Sequence, residues 1–170
     1  SLAAKRSIRE GGVSFTDHIE GSRHEFTPRS VLEAQLAFGV DFAMPLDICT
    51  GLPASRNRVA RDMEITHRWA KEQAEVWPDL VAGSVAASLR ESSSRTAAEM
   101  PPPQNAMNPP SLFGIVQGGL EEDLRLQSIE AIAALPFAGI AVGGLAVGEA
   151  REDFLRLTAF CGSKLPMDRV

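Results

Sequence analysis

The sequence predicts an α/β protein with a parallel sheet, because strand-like and helix-like segments alternate three times along the chain. Each strand-like segment is a short apolar run, and each helix-like segment repeats apolar residues at a spacing near 3.6. Hydrophobic residues make up 44% of the 170 residues and charged residues 23%, which suits a globular domain with a buried core. The predicted strands are residues 40–46, 112–116 and 139–142.

A β-hairpin and a helix are predicted ahead of the first of these strands. Residues 13–26 alternate loosely between apolar and polar side chains, and Gly21 marks a turn in their middle. Thr27 is a good N-cap residue and Pro28 suits the first helical turn, so a helix is expected to begin here. Gly39 is expected to end it.

The second helix is predicted at residues 57–77, with Ser55 as its N-cap. Pro45 is expected at the end of the strand before it, because a proline cannot donate to a sheet ladder. One face of the helix carries a stripe of residues suited to packing on the sheet. This stripe consists of Val59, Met63, Thr66, Ala70 and Trp77.

Residues 78–110 differ in composition from the rest of the chain and are predicted to be a flexible insertion. Six of the eleven prolines lie here, among Ser, Ala and Asn, with few large apolar side chains. Such a segment buries too little apolar surface to offset the entropy lost on ordering. Residues 1–170 are therefore expected to form one domain that this insertion interrupts.

A third helix is predicted after the strand at residues 112–116. Glu121, Glu122 and Asp123 fall in its first turn, where carboxylates suit the positive end of the helix dipole. A last helix is expected at residues 151–160. The predicted apolar face of the third helix consists of Leu120, Leu124, Ala131 and Leu135.

Composition also argues against some classes of compartment and partner. Cys49 and Cys161 are the only cysteines, too few for a disulfide scaffold, so a reducing compartment such as the cytoplasm is expected. No apolar run is long enough to cross a bilayer, so no membrane association is expected. The net charge of −5 argues by itself against a nucleic-acid partner, which usually requires a basic surface.

Polar residues or glycines follow each predicted strand of the parallel sheet. Asp47 follows the first strand, Gln117 the second, and Gly143 and Gly144 the third. The carboxyl ends of parallel strands meet at one edge of a sheet, so these residues are expected to lie together. A carboxylate accepts from the N–H groups of a guanine-like base, while an amide and a glycine N–H donate to its carbonyl oxygen.

Simpler interpretations of the same residues stay open at this point. An aspartate after a strand is more often a turn or cap residue. The glycine pair at residues 143–144 also suits phosphate binding, as in an unrelated barrel enzyme.

Three stretches resemble signature motifs of the tRNA-guanine transglycosylases. They are DFAMPLDICT at residues 41–50, FGIVQGG at residues 113–119 and AVGGLAVGE at residues 141–149. The hairpin and the stretch MEITHRWAKE at residues 63–72 resemble that family as well. The resemblance implies that the chain is part of a (β/α)₈ barrel of the TIM type. It also implies an activity, the exchange of a guanine in the tRNA anticodon loop for a deazaguanine.

The resemblance assigns roles to residues at the predicted strand ends. By this resemblance Asp47 binds the base, while Gln117 and the N–H of Gly144, which follows Gly143, contact its carbonyl oxygen. The backbone carbonyl of Leu145 receives the aminomethyl group of the bacterial substrate. The residues Cys49 and Val147 match the bacterial pattern.

The resemblance also places functional parts outside residues 1–170. The nucleophilic aspartate, a second catalytic aspartate, the zinc ligands and most of the basic tRNA-binding surface have no match here. We therefore expect no catalytic residue and no metal in this chain, zinc and a homodimer in the intact protein, and no exchange by this chain alone. A non-catalytic, transglycosylase-like subunit that binds tRNA or the base remains the alternative function.

Overall fold

The structure is a computed structural model that describes residues 6–93 and 109–169. In these residues it contains two three-stranded sheets and four helices. The first sheet consists of β1 (Arg6–Arg9), β2 (Gly12–Thr16) and β3 (Arg23–Phe26). The second consists of β4 (Phe42–Ala43), β5 (Ser111–Val116) and β6 (Gly139–Val142). The helices are α1 (Pro28–Phe38), α2 (Arg56–Ser93), α3 (Glu122–Ala133) and α4 (Arg151–Lys164).

The predicted hairpin is confirmed, and one further strand joins it. β2 and β3 pair antiparallel, with Val13 opposite Phe26. The Asp17 carboxylate holds their connection, accepting from the N–H groups of Ile19 at 2.9 Å and Glu20 at 2.7 Å. These hydrogen bonds lower the pKa of Asp17 to about 2. β1 pairs with the other edge of β2 and was not predicted, because its mostly polar, exposed sequence lacks an apolar alternation.

Helix α1 begins and ends where the sequence predicts. The Thr27 hydroxyl accepts from the Ser30 N–H at 3.1 Å, and the Ser30 hydroxyl accepts from the Thr27 N–H at 2.9 Å. This reciprocal pair is a capping box. Pro28 occupies the first turn, and Gly39 ends the helix with a φ of 72°, which glycine adopts without strain.

The second sheet is parallel, as predicted, and is ordered β4–β5–β6. β5 and β6 agree closely with the predicted strands, but β4 has two residues and not the seven of the predicted run 40–46. The Gln35 side chain replaces a strand partner beyond Ala43. Its amide bonds both the N–H and the carbonyl of Met44 at 2.8 Å. The Gln35 side chain of α1 therefore replaces the backbone hydrogen bonds of the ladder, which ends before Pro45.

Helix α2 is longer than predicted. It continues through Pro78 to Ser93, so the prediction of an irregular segment from residue 78 onward is wrong for residues 78–93. Leu80 is buried in the main core and Val81 packs against it, and this burial outweighs the helix-breaking tendency of the proline. Residues 94–108 of the predicted insertion lie outside the described residues.

The buried face of α3 differs from the predicted one. The buried face contains two polar residues among apolar ones, and these interrupt the regular spacing of apolar residues from which the face was predicted. The buried residues are Leu124, Arg125, Ser128, Ile129 and Ile132. Of the predicted face, only Leu124 is fully buried. Helix α4 begins at Arg151 as predicted and ends at Lys164, beyond the predicted end at Phe160.

The main core lies between the parallel sheet and the helices. Leu112 and Val116 of β5 contribute to this core. Leu32 of α1, Ala70 of α2 and Ile132 of α3 also bury their side chains in it. Among the described helices, none is long and apolar enough to cross a membrane.

Candidate functional site

The segment that carries Asp47 is held in place by side chains of α2. The Gln73 amide oxygen accepts from the Leu46 N–H at 2.7 Å, and the Thr66 hydroxyl accepts from the Ile48 N–H at 2.9 Å. Thr66 and Gln73 are both buried, so these hydrogen bonds are shielded from water. The backbone on both sides of Asp47 is therefore fixed although no strand pairs with it there.

Asp47 and Gln117 meet directly at the carboxyl edge of the parallel sheet. The Gln117 Nε2 donates to Asp47 Oδ2 at 2.6 Å. Gln117 is buried and Asp47 is half-buried. Burial raises the pKa of the Asp47 carboxyl, and the hydrogen bond from Gln117 offsets only part of this effect. Two residues that are 70 positions apart in sequence thus form one polar surface, as predicted.

The backbone of Gln117 is anchored by a short chain of polar groups. The Ser128 hydroxyl accepts from the Gln117 N–H at 3.0 Å. The His67 Nε2 lies 2.8 Å from the same hydroxyl. Burial lowers the pKa of His67, which favours the neutral ring. A neutral ring can accept the Ser128 proton, so that the hydroxyl is free to accept from Gln117.

Gly143 and Gly144 form the turn against which the Gln117 side chain lies. The Gly143 N–H donates to the Val116 carbonyl at 2.8 Å and continues the ladder past β6. A Cβ atom on Gly143 would lie 2.6 Å from Gln117 Nε2, and one on Gly144 would lie 2.6 Å from Gln117 Oε1. Gly144 also has a φ of 63°. Glycine is therefore required at both positions for this close approach.

Cys49 borders the same turn. Its thiol is half-buried, and burial raises its pKa, with a further increase from the Asp47 charge. The backbone of the neighbouring Gly144 lowers that pKa in part. The predicted residues Asp47, Gln117, Gly143, Gly144 and Cys49 therefore lie together.

The loop after Gly144 is held by the Glu149 carboxylate, which accepts from the N–H groups of Ala146 and Val147, the latter at 2.9 Å. Ala146 has a φ of 60°, an uncommon value for a residue with a side chain. Leu145 and Val147 are half-buried on this loop, which is exposed at Ala146. The glutamate thus fixes a strained turn next to the predicted site, a role that the sequence did not reveal.

Arg125 of α3 is the principal site residue that the sequence analysis missed. Its side chain is fully buried, with 0% exposure. The guanidinium donates to three carbonyl oxygens, those of Gly119 at 2.8 Å, Gly143 at 3.1 Å and Gly144 at 3.2 Å. Among the described residues it forms no ion pair with a carboxylate. An isolated arginine in a helical sequence carries no signal that distinguishes this role from a surface one.

A cavity of about 290 Å³ adjoins the Glu149 loop. Leu52, Val59 and Leu120 contribute apolar walls, and Gly148 and Glu149 close one side. The polar cluster around Asp47 does not line this cavity. Within residues 6–93 and 109–169, no group of three or more His, Cys, Asp or Glu side chains is arranged to hold a metal ion.

The fold and the site together define an α/β protein in which a carboxylate, a buried amide and a glycine turn meet at the carboxyl edge of a parallel sheet. Comparison with known proteins identifies the family. The family model described as queuine tRNA-ribosyltransferase matches residues 1–170. The chain therefore belongs to the queuine tRNA-ribosyltransferase family, as the sequence motifs predicted.

Curated relatives agree with this assignment. A queuine tRNA-ribosyltransferase of Ruegeria sp. (strain TM1040) is 40% identical over 99% of this chain. The proteins of that name from Leptospira biflexa and Pseudomonas aeruginosa are 38% and 34% identical over 92% and 99% of the chain. The chain spans 38% of the length of the Ruegeria and Pseudomonas relatives and 35% of the Leptospira one.

Proposed function

We propose that the protein containing this chain replaces guanine at the wobble position of a tRNA anticodon with 7-aminomethyl-7-deazaguanine, a step of queuosine biosynthesis. The proposal rests on membership of the queuine tRNA-ribosyltransferase family. The single observation that carries it is the contact between Asp47 and Gln117 beside the Gly143–Gly144 turn. In this proposal the chain supplies the wall that recognises the base, and the exchange itself takes place in the cytoplasm.

The chemistry of this wall is complementary to guanine. The Asp47 carboxylate can accept from the ring N–H and from the exocyclic amine of the base. The Gln117 amide nitrogen has two hydrogens, and one of them is directed at Asp47. The second hydrogen and the Gly144 N–H are available for the carbonyl oxygen of the base. Each polar group on that edge of guanine thus has a partner.

An uncovered aromatic pair supports a barrel architecture for the longer protein. Phe42 and Phe113 pack edge to face with ring centroids 5.3 Å apart, and Phe42 is 63% exposed. Parallel sheets are normally buried on both faces. We propose that further strands of the same protein cover this face and close a (β/α)₈ barrel, with Asp47 and Gln117 on its carboxyl rim.

The remaining functions are assigned to parts of the protein outside this chain. They comprise the nucleophilic aspartate that takes the ribose carbon, the second catalytic aspartate and the basic surface for the anticodon loop. We propose that the zinc module belongs there as well. We also propose a homodimer. The acidic balance of this chain, with a net charge of −5, is compatible with such a division.

Exchange of labelled guanine into tRNA by the full-length protein tests the proposed function. The expected result is incorporation of the label into tRNA that has guanine at the wobble position, and none into tRNA that has adenine there. Binding of guanine without exchange would indicate the non-catalytic subunit instead. Absence of both binding and exchange would contradict the proposal.

Val147 is expected to favour the small aminomethyl base over the bulkier queuine. Val147 is half-buried on the loop beside Gly144. Its side chain therefore leaves less room for a substituent of the base than a glycine at this position would. We expect Val147→Gly, which removes three carbon atoms, to raise queuine incorporation relative to the aminomethyl base by at least about tenfold, since a single methylene in a pocket can have an effect of that size. A competition assay measures the ratio, with Val147→Ala as an intermediate. An unchanged ratio in both variants would contradict the assignment.

A further inference from the structure

Arg125 is positioned to control the direction of one N–H group at the site. The carbonyl of Gly143 and the N–H of Gly144 belong to the same peptide unit. In a trans peptide these two groups point in opposite directions. The Arg125 guanidinium donates to the Gly143 carbonyl at 3.1 Å. The Gly144 N–H is therefore directed away from the guanidinium, on a turn that packs against the Gln117 side chain.

The guanidinium fixes the turn at more than one point. It also bonds the Gly144 carbonyl at 3.2 Å and the Gly119 carbonyl at 2.8 Å, and so links the loops after β5 and β6. The planar guanidinium presents its donors in a fixed arrangement, so the three carbonyls are held in one geometry. Since Gly144 has a positive φ and no side chain to anchor it, these hydrogen bonds restrict a turn that glycine would otherwise leave mobile.

The charge of Arg125 acts on the same peptide unit. A cation that bonds a carbonyl oxygen polarises the peptide and makes its N–H a stronger donor, particularly where water is excluded. Arg125 has 0% exposure, so water does not screen this effect. The arginine thus has two effects on the Gly144 N–H without touching a ligand itself.

We infer that Arg125 is a positioning residue for base recognition, which aims and strengthens the Gly144 N–H toward the carbonyl oxygen of the bound base. The inference rests on the proposed function, because it concerns the same base site. It predicts that loss of Arg125 weakens recognition of that oxygen and leaves recognition of the amine by Asp47 intact.

The test compares two bases in the full-length protein. Guanine has the carbonyl oxygen and the ring N–H, whereas 2-aminopurine keeps the amine and lacks both. The missing ring N–H affects the parent and the Arg125 variants alike, so a change in the affinity ratio between them reports on the oxygen. We expect Arg125→Met to lower the affinity ratio of guanine to 2-aminopurine by about tenfold, as for loss of a charge-assisted hydrogen-bond arrangement. Arg125→Lys should recover part of the ratio, since an ammonium group can bond one carbonyl. Arg56→Met, which removes an exposed arginine with a 49% accessible side chain, is the matched control and should keep the parent ratio.

The outcomes separate this inference from the proposed function. A general structural defect would lower both affinities together and leave the ratio unchanged, and Arg125→Lys gives the ratio if Arg125→Met fails to fold. If the parent binds guanine through Asp47 and the Arg125 variants keep the parent ratio, the inference is overturned and the proposed function stands. If the parent binds no guanine, both are overturned.

Discussion

Asp47→Asn is expected to lower the affinity of the full-length protein for guanine by at least about tenfold. The carboxylate accepts from both donors on the base, whereas an asparagine directs its own N–H₂ toward one of them. Each mispaired buried polar group costs roughly 1–3 kcal/mol. The remaining asparagine oxygen can still accept from Gln117, so the 2.6 Å contact inside the site can persist.

The same substitution should leave the fold intact or slightly more stable at neutral pH. Burial raises the pKa of Asp47 above its ordinary value, so the folded protein holds the neutral acid more readily than the unfolded chain does. The stability that this provides is complete below the ordinary pKa of an aspartic acid and is lost as the pH rises through the raised pKa. Asparagine is neutral at every pH and avoids that loss.

Guanine affinity and thermal unfolding measured side by side check both expectations. The stability advantage of Asp47→Asn should be present at pH 7 and should shrink as the pH falls below the raised pKa. Gln117→Ala should lose less affinity, because the Gly144 N–H still donates to the same oxygen. If Asp47→Asn binds guanine like the parent, or loses affinity only because it unfolds, Asp47 is a turn residue and the base-recognition wall is wrong.

Gly144→Ala is expected to lower guanine affinity by roughly tenfold to hundredfold, because it disturbs two donors at once. A Cβ atom would lie 2.6 Å from Gln117 Oε1, so the Gln117 side chain must move. The φ of 63° adds strain of about 1–2 kcal/mol for any residue with a side chain. A relaxing backbone would also turn the Gly144 N–H away from the base.

Gly51→Ala provides the matched control for this prediction. Gly51 lies on the segment after Cys49. A Cβ atom at this position would have no atom within 4 Å, and Gly51 does not have a positive φ. Calorimetric titration of guanine should give the parent affinity for Gly51→Ala and a weakened one for Gly144→Ala. Parent-like binding by Gly144→Ala would show that this turn does not contribute to the site.

The sequence predicted those parts of the fold in which local chemistry determines the structure. The cap at Thr27 and Pro28, the turn at Gly39 and strands β5 and β6 all follow from short-range signals. Strand β4 is shorter than its apolar run, because the Gln35 side chain takes the place of a strand neighbour. This replacement depends on contact between α1 and the segment after β4, and a local sequence pattern does not contain that information.

Tertiary packing also explains why α2 and the inner face of α3 were mispredicted. Burial of Leu80 in the main core stabilises α2 beyond Pro78, although the proline predicted that the helix ends there. Arg125 and Ser128 occupy core positions of α3 because backbone groups of the site satisfy them. A polar residue on a core face therefore disrupted the hydrophobic period where the helix supports the functional site.

The residues of the candidate site were predictable as a set, but their mutual contacts were not. Motif resemblance selected Asp47, Gln117 and Gly144, and the parallel topology explains why their strand ends meet. The hydrogen bond from Gln117 to Asp47 and the close packing of Gln117 on Gly144 required the three-dimensional arrangement.

The most direct test of base recognition by Asp47 is the affinity of the full-length protein for guanine compared with hypoxanthine, measured for the parent and for Asp47→Asn. Hypoxanthine keeps the ring N–H and the carbonyl oxygen but lacks the exocyclic amine that Asp47 is proposed to bind. We expect the parent to prefer guanine by about tenfold or more, and Asp47→Asn to lose most of this preference. Equal affinity of the parent for the two bases, or a preference that survives Asp47→Asn unchanged, would show that Asp47 does not bind the exocyclic amine.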